Sequence, residues 1–244
     1  MLIRGLKSGA SAEDDTNPYW ISFSDIMAGL LVIFILAALL MILQLTEQRE
    51  NVAVKIEEVE RANFIRSTIL EAVSNALLAQ GIIVEISDNE SVLRIPSSTI
   101  NFVTDQAELR ESQKGVVEKI GIALINSINT ENRREVIDTI FIEGHTDSRR
   151  SRYKGVGNWL LSADRAISIW RYWGDTESTN SLWNLVNFRN ENMFSVSGYA
   201  ATRRIAELDD TPELQERNRR IDLRFTMKQP EECEYQEITE VASC

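Results

Sequence analysis

What this sequence has little of sets the first limits. Basic side chains are outnumbered, with 26 Lys and Arg against 37 Asp and Glu, a formal net charge of −11. A chain without a basic excess has little to exchange for phosphate counterions, so direct nucleic-acid binding is not expected. Histidine occurs once, as His145, and cysteine twice, as Cys233 and Cys244. A structural zinc site of the His/Cys kind takes four ligands, so no metal is expected, and no cofactor is implied. With 4 Pro and 11 Gly, collagen-like and low-complexity chains are excluded. A hydrophobic content of 43% is normal for a folded protein and too high for a disordered one.

Polar side chains are missing altogether from one stretch. Residues 26–43 read IMAGLLVIFILAALLMIL, and everything after Leu45 is mixed in character. With its flanks from Trp20 to Leu45 the apolar segment would make about 39 Å of helix, enough to cross a bilayer with some tilt. A buried helix this long and uniform does not suit so small a domain. A signal peptide has a shorter apolar region after a basic start, whereas Glu13, Asp14 and Asp15 precede this one. The expectation is one retained transmembrane helix over 19–45, after a tail over 1–18. Lys and Arg are too evenly divided about it to orient it by charge: Arg4 and Lys7 before, Arg49, Lys55 and Arg61 after.

One carboxylate stands at the edge of this segment. Asp25 shares a helical face with Ser22 and Gly29, and Gly29 with Ala28 leaves room for another helix. A carboxylate near hydrocarbon is costly unless neutralised, paired or facing water, and such residues mark ion paths. The plainer alternative is a headgroup-level Asp or helix cap exposed to water.

Residues 46–80 contain no Pro or Gly and repeat apolar positions at three- and four-residue spacing, which predicts an amphipathic helical linker. Strand periodicity begins after Gly81. Segments 83–86 and 91–95 form a hairpin around Asp88, Asn89 and Glu90, a helix follows over 106–126, and 138–144 is a buried strand leading to His145, Thr146 and Asp147. A helix over 158–173, a short strand at Val196, a further helix and a strand over 221–227 complete a two-layer α/β sandwich across 81–228. The stretch 174–194, with Trp183, Leu185 and Phe188, is expected to add a small helix or lid. The acidic tail over 229–244 carries both cysteines, eleven residues apart, where a disulfide could tie down the terminus or bridge two copies.

Several spaced motifs carry a resemblance. GHTD at 144–147, Asn158, Leu161-Ser162, Arg165-Ala166, Gly198-Tyr199 and Asn218-Arg219-Arg220-Ile221, with Phe102 ahead of Ala107-Glu108-Leu109, resemble the OmpA-like peptidoglycan-binding family. Pro18-Tyr19-Trp20, Ser24-Asp25 and the apolar run resemble the MotB-type B subunit of a stator. The acidic N-terminus, short connection and inserted loops look more like the B subunit of the Zorya anti-phage system than like flagellar MotB. A non-motor OmpA-like wall anchor is a further alternative. The resemblance implies an inner-membrane protein with a cytoplasmic N-terminus and a periplasmic C-terminal domain. It implies two copies inside a pentamer of a polytopic MotA-like A subunit, through which cytoplasmic defence effectors are reached. It implies that Asp25 carries a proton, and that the chain is a motor component and not a hydrolase. In the wall-binding site it implies Asp147 for the ammonium of diaminopimelate and Arg165 for a carboxylate, with Asn158 and Thr146 positioning loop and ligand and Arg219 and Arg220 in support. Such charge-assisted pairs suit a zwitterion. His145 is expected to shape the loop. The basic loop with Arg149, Arg150, Arg152 and Lys154 either contacts anionic wall polymers or is simply solvated.

Overall fold

The structure, a computed structural model, describes residues 18–130 and 133–230. It falls into two units that divide between Lys55 and Ile56. The first helix, α1 (Pro18–Leu78), begins in one and ends in the other. Among the described residues it is the one helix long and apolar enough to cross a membrane.

In the first unit every apolar side chain described from Trp20 to Val54 is exposed, Ile33 at 67% and Leu43 at 66% among them. Such a surface is unfavourable in water and suits a hydrocarbon surrounding. Asp25 is exposed there, without an ion pair or hydrogen bond among the described residues.

In the second unit the last turns of α1 behave differently. Ile69, Leu70, Val73 and Leu77 are completely buried and belong to the domain's hydrophobic core. The segment expected as a linker over 46–80 therefore contributes four core residues at helical spacing. Behind it follow β1 (Glu85–Ser87), β2 (Val92–Pro96), α2 (Glu111–Ile128), β3 (Ile137–His145), α3 (Asn158–Asp175), β4 (Phe194–Gly198), α4 (Pro212–Asn218) and β5 (Arg220–Met227). The strand order is β1-β2-β5-β3-β4. β3 and β4 run parallel with α3 as their crossover, while β1–β2, β2–β5 and β3–β5 are antiparallel. Val117, Ile120 and Leu124 of α2 and Ala166, Ile169 and Trp173 of α3 close the core with Leu93, Ile140, Ile142, Leu223 and Phe225 of the sheet.

The expected α/β sandwich is the fold found, with local differences. The β1–β2 turn takes Asp88, Asn89 and Glu90 through the left-handed region, at φ 52°, 53° and 57°. The helix expected from residue 106 starts at Glu111, because the carbonyls of Val103 and Gln106 accept hydrogen bonds from the Arg165 side chain and their segment takes a turn. The 174–194 insertion forms a 3₁₀ turn, Asn180–Asn184, and a bridge between Val186 and Asn192. Trp183 stacks on Trp170 at 5.4 Å and donates its indole N–H to the Trp170 carbonyl, while Leu182 and Leu185 enter the core. The insertion is thus a packed part of the domain. Cys233 and Cys244, with residues 231–244 of the acidic tail, lie outside the described residues, as does most of the 1–18 tail.

Candidate functional site

The site forms where β3 and β4 end against the start of α3. The Thr146 N–H donates to the Ala200 carbonyl at 2.9 Å and the Tyr199 N–H to the Gly144 carbonyl at 2.9 Å. The Ala200 N–H donates to Ser162 Oγ at 3.0 Å. This closeness requires glycine at two positions: a Cβ on Gly144 would strike the Ser162 carbonyl, and one on Gly198 would meet the Ala163 backbone. The motif residues thus meet because bare backbone lets α3 sit on the strand ends.

Asp147 follows directly, 6% exposed. Its Oδ2 accepts from Arg149 Nη2 at 2.8 Å, Arg149 Nε at 3.1 Å and Arg219 Nη1 at 2.7 Å, and its Oδ1 accepts from the Arg149 backbone N–H at 3.1 Å. Burial pushes this carboxyl's pKa up, but the two arginines outweigh it and hold it below the ordinary carboxylate value. Asn158 Nδ2 donates to the carbonyls of Asp147 and Arg149, at 3.3 and 2.9 Å, and so fastens the loop to the first turn of α3.

Arg165 is 5% exposed and lies with its guanidinium 5.1 Å from the Phe102 ring centre. Its Nε donates to the Gln106 carbonyl at 3.0 Å and its Nη2 to the Val103 carbonyl at 3.1 Å. Burial, with the Arg219 charge adding to it, brings its pKa down to about 10, so it stays cationic at neutral pH. Arg165, Arg219 and Arg220 line a narrow cleft with Ser97, Asn101 and Phe102. The cleft holds about 10 Å³, roughly the room of one water.

The expected residues therefore divide. Asp147, Asn158 and Arg219 are brought together by direct hydrogen bonds, and Arg165 borders the same cleft as Arg219. Thr146 enters through its backbone, its buried Oγ1 having no hydrogen-bond partner among the described residues. Arg220 turns into a buried network: Nε donates to Asp222 Oδ2 at 2.9 Å, with the Asn218 and Arg203 carbonyls accepting from the rest of the guanidinium. Arg149, expected in the basic loop either to contact anionic wall polymers or to be solvated, is a principal partner of Asp147. Its spacing two residues after the carboxylate was the available signal.

His145 stacks on Tyr199, with centroids 5.5 Å apart, and Arg203 covers the other ring at 3.7 Å. Its Nε2 stands 3.5 Å from Asp222 Oδ2 and 3.8 Å from Glu143 Oε2, too far for good hydrogen bonds. Burial lowers its pKa, and the opposing pull of Glu143 is the weaker effect. Glu143, His145 and Asp222 are close enough to share a metal ion. However, Arg94 and Arg220 already hold Asp222, and Arg224 holds Glu143. A dication would enter among three guanidinium groups, so this donor set does not suit one.

Residues 101–219 match the OmpA family. The second unit is an OmpA-like domain. A MotB-like protein from Desulfovibrio vulgaris superposes with a TM-score of 0.52 at 19% identity, covering 72% of this chain and 99% of its own. The cell wall anchor of the T6SS from Pseudomonas aeruginosa gives 0.46 at 22% identity, over 67% of this chain and 99% of its own. The periplasmic domain of Helicobacter pylori MotB gives 0.42 at 23% identity, over 59% and 80%. The first likeness concerns the fold alone, and the other two are too distant in superposition to carry an argument. Among curated proteins there is no match.

Proposed function

We propose that this chain is the B-type subunit of an ion-driven inner-membrane stator, anchored to peptidoglycan by its OmpA-like domain and acting in anti-phage defence of the Zorya kind. The observation that carries the reading is the union, in one chain, of an exposed apolar helix bearing Asp25 at its edge and an OmpA-like domain bearing Asp147. The N-terminus faces the cytoplasm and the domain the periplasm. Two copies stand inside a pentamer of a MotA-like A subunit, which passes the signal to cytoplasmic effectors.

Physics supports the division of labour. A membrane potential supplies about 2.3 kcal/mol per elementary charge per 100 mV, and a carboxylate that alternately takes and loses a proton couples that energy to motion. Torque needs a fixed reaction point. In the wall-binding site Asp147 takes the diaminopimelate ammonium. Arg165, held by two carbonyls and bordering the cleft, offers its remaining N–H groups to a carboxylate. Asn158 and Arg219 hold the Asp147 loop in place, and a disulfide between Cys233 and Cys244 would secure the tail.

The decisive experiment replaces Asp25 by Asn and verifies unchanged membrane level and assembly. Protection against phage should vanish; protection at the wild-type level would end the motor reading. Loss of swimming in place of protection would identify a flagellar stator. An Asp25→Asn protein that loses neither, yet still sediments with purified wall, would be a non-motor anchor.

A further inference from the structure

We propose that Arg149 is an internal occupant of the Asp147 ammonium site, one that a wall ligand must displace and that thereby sets the site's selectivity. The inference rests on the reading of Asp147 as the ammonium acceptor and adds a residue to it. The Asp147 carboxylate is crowded on one side: Oδ2 accepts two N–H groups of the Arg149 guanidinium and one of Arg219, while Oδ1 accepts the Arg149 backbone N–H. Oδ2 already faces more donors than it has lone pairs, so an ammonium reaches that oxygen only where a guanidinium leaves. The two candidates differ in freedom. Arg219 has a side chain 29% exposed, whereas that of Arg149 is 55% exposed. Arg149 also sits on the loop that Asn158 pins by its backbone carbonyls, so its side chain can swing out while the main chain stays.

The exchange has a consequence for ligand chemistry. A plain amine gains one carboxylate contact and strands the Arg149 guanidinium in water. A ligand with a carboxylate beside its ammonium offers the displaced guanidinium a new partner, so the exchange favours a zwitterionic end group over a simple amine. A half-exposed ion pair contributes little by itself, so its removal should tighten binding by about three- to fivefold and no more.

The test uses the full chain in detergent and two synthetic stem tripeptides, one ending in meso-diaminopimelate and one with lysine in its place. Calorimetric titrations compare wild type, Arg149→Gln and Asp147→Ala. Arg149→Gln should bind both peptides more tightly, the lysine peptide gaining more, so that the preference for diaminopimelate narrows. In the wild type the Arg149 Nε–H resonance should shift when the diaminopimelate peptide is added. Unchanged or weaker binding by Arg149→Gln, together with an unmoved resonance, overturns the proposal. If Asp147→Ala has by then abolished binding, the ammonium site itself stands. If Asp147→Ala binds like wild type, the failure lies in the site, and the role given to Arg149 falls with it.

Discussion

The two ends of α1 answer to different surroundings. Ile33 and Leu36 near its start are exposed to 67% and 55%, while Leu70 and Leu77 near its end are fully buried against the sheet and helices of the domain. Both regions are rich in leucine and isoleucine, so side-chain chemistry alone does not distinguish them. What does is the alternation with charge: Glu71 interrupts the second stretch, and nothing polar interrupts 26–43. An apolar stripe finds a protein partner, and an apolar cylinder finds a lipid one. The two carboxylates repeat the contrast, for Asp147 is held ionised by arginines of its own chain while Asp25 has no such partner among the described residues.

The sharpest way to break this comparison is Leu70→Ala. If the end of α1 is core, the substitution should destabilise the domain by about 2–5 kcal/mol, through lost burial and the cavity left behind. Chemical denaturation followed by tryptophan fluorescence reads it directly, and a change within error would return the segment to linker status. A smaller effect concerns the buried charges of the domain. His145 binds a proton less readily when folded than when unfolded. Stability is therefore complete above about pH 6.5 and declines as pH falls from there toward the lowered folded value. The slope approaches about 1.4 kcal/mol per pH unit. Glu143, Asp222, Arg220 and, through Tyr199, Arg203 surround the imidazole. Comparing Tm near pH 7.5 and near pH 5.5 checks this, and His145→Gln should flatten the difference; an equal acid loss in that variant would assign the effect elsewhere. The smallest expected effect is the most telling control. Leu36→Ala should leave domain unfolding unchanged, within about 0.5 kcal/mol, because its side chain is exposed and stands outside the domain's core.

Much of the domain was legible because its signals are local. β3, α3 and β5 are each found within two residues of their expected limits, since alternation and helical spacing are written in neighbouring positions. The start of α2 was not legible, because the turn over 103–106 that precedes it is held by the Arg165 side chain, about sixty positions away in sequence. The site shows the same limit. Asp147, Asn158 and Arg219 could be named from their motifs, but that Arg149 covers Asp147 Oδ2, and that Arg220 bonds Asp222, depend on side-chain directions that only the folded chain fixes.

The sequence by itself determined the class of each region. An uninterrupted apolar run, period-two strands and helical stripes are properties of consecutive residues, and each selects its surroundings by solvation alone. Only the tertiary structure decided who partners whom among the charges. Residues as distant in the chain as Arg94 and Asp222, or Asp147 and Arg219, become neighbours when the sheet closes. Charge pairing in a buried setting depends on ångström-scale distances that no linear spacing specifies.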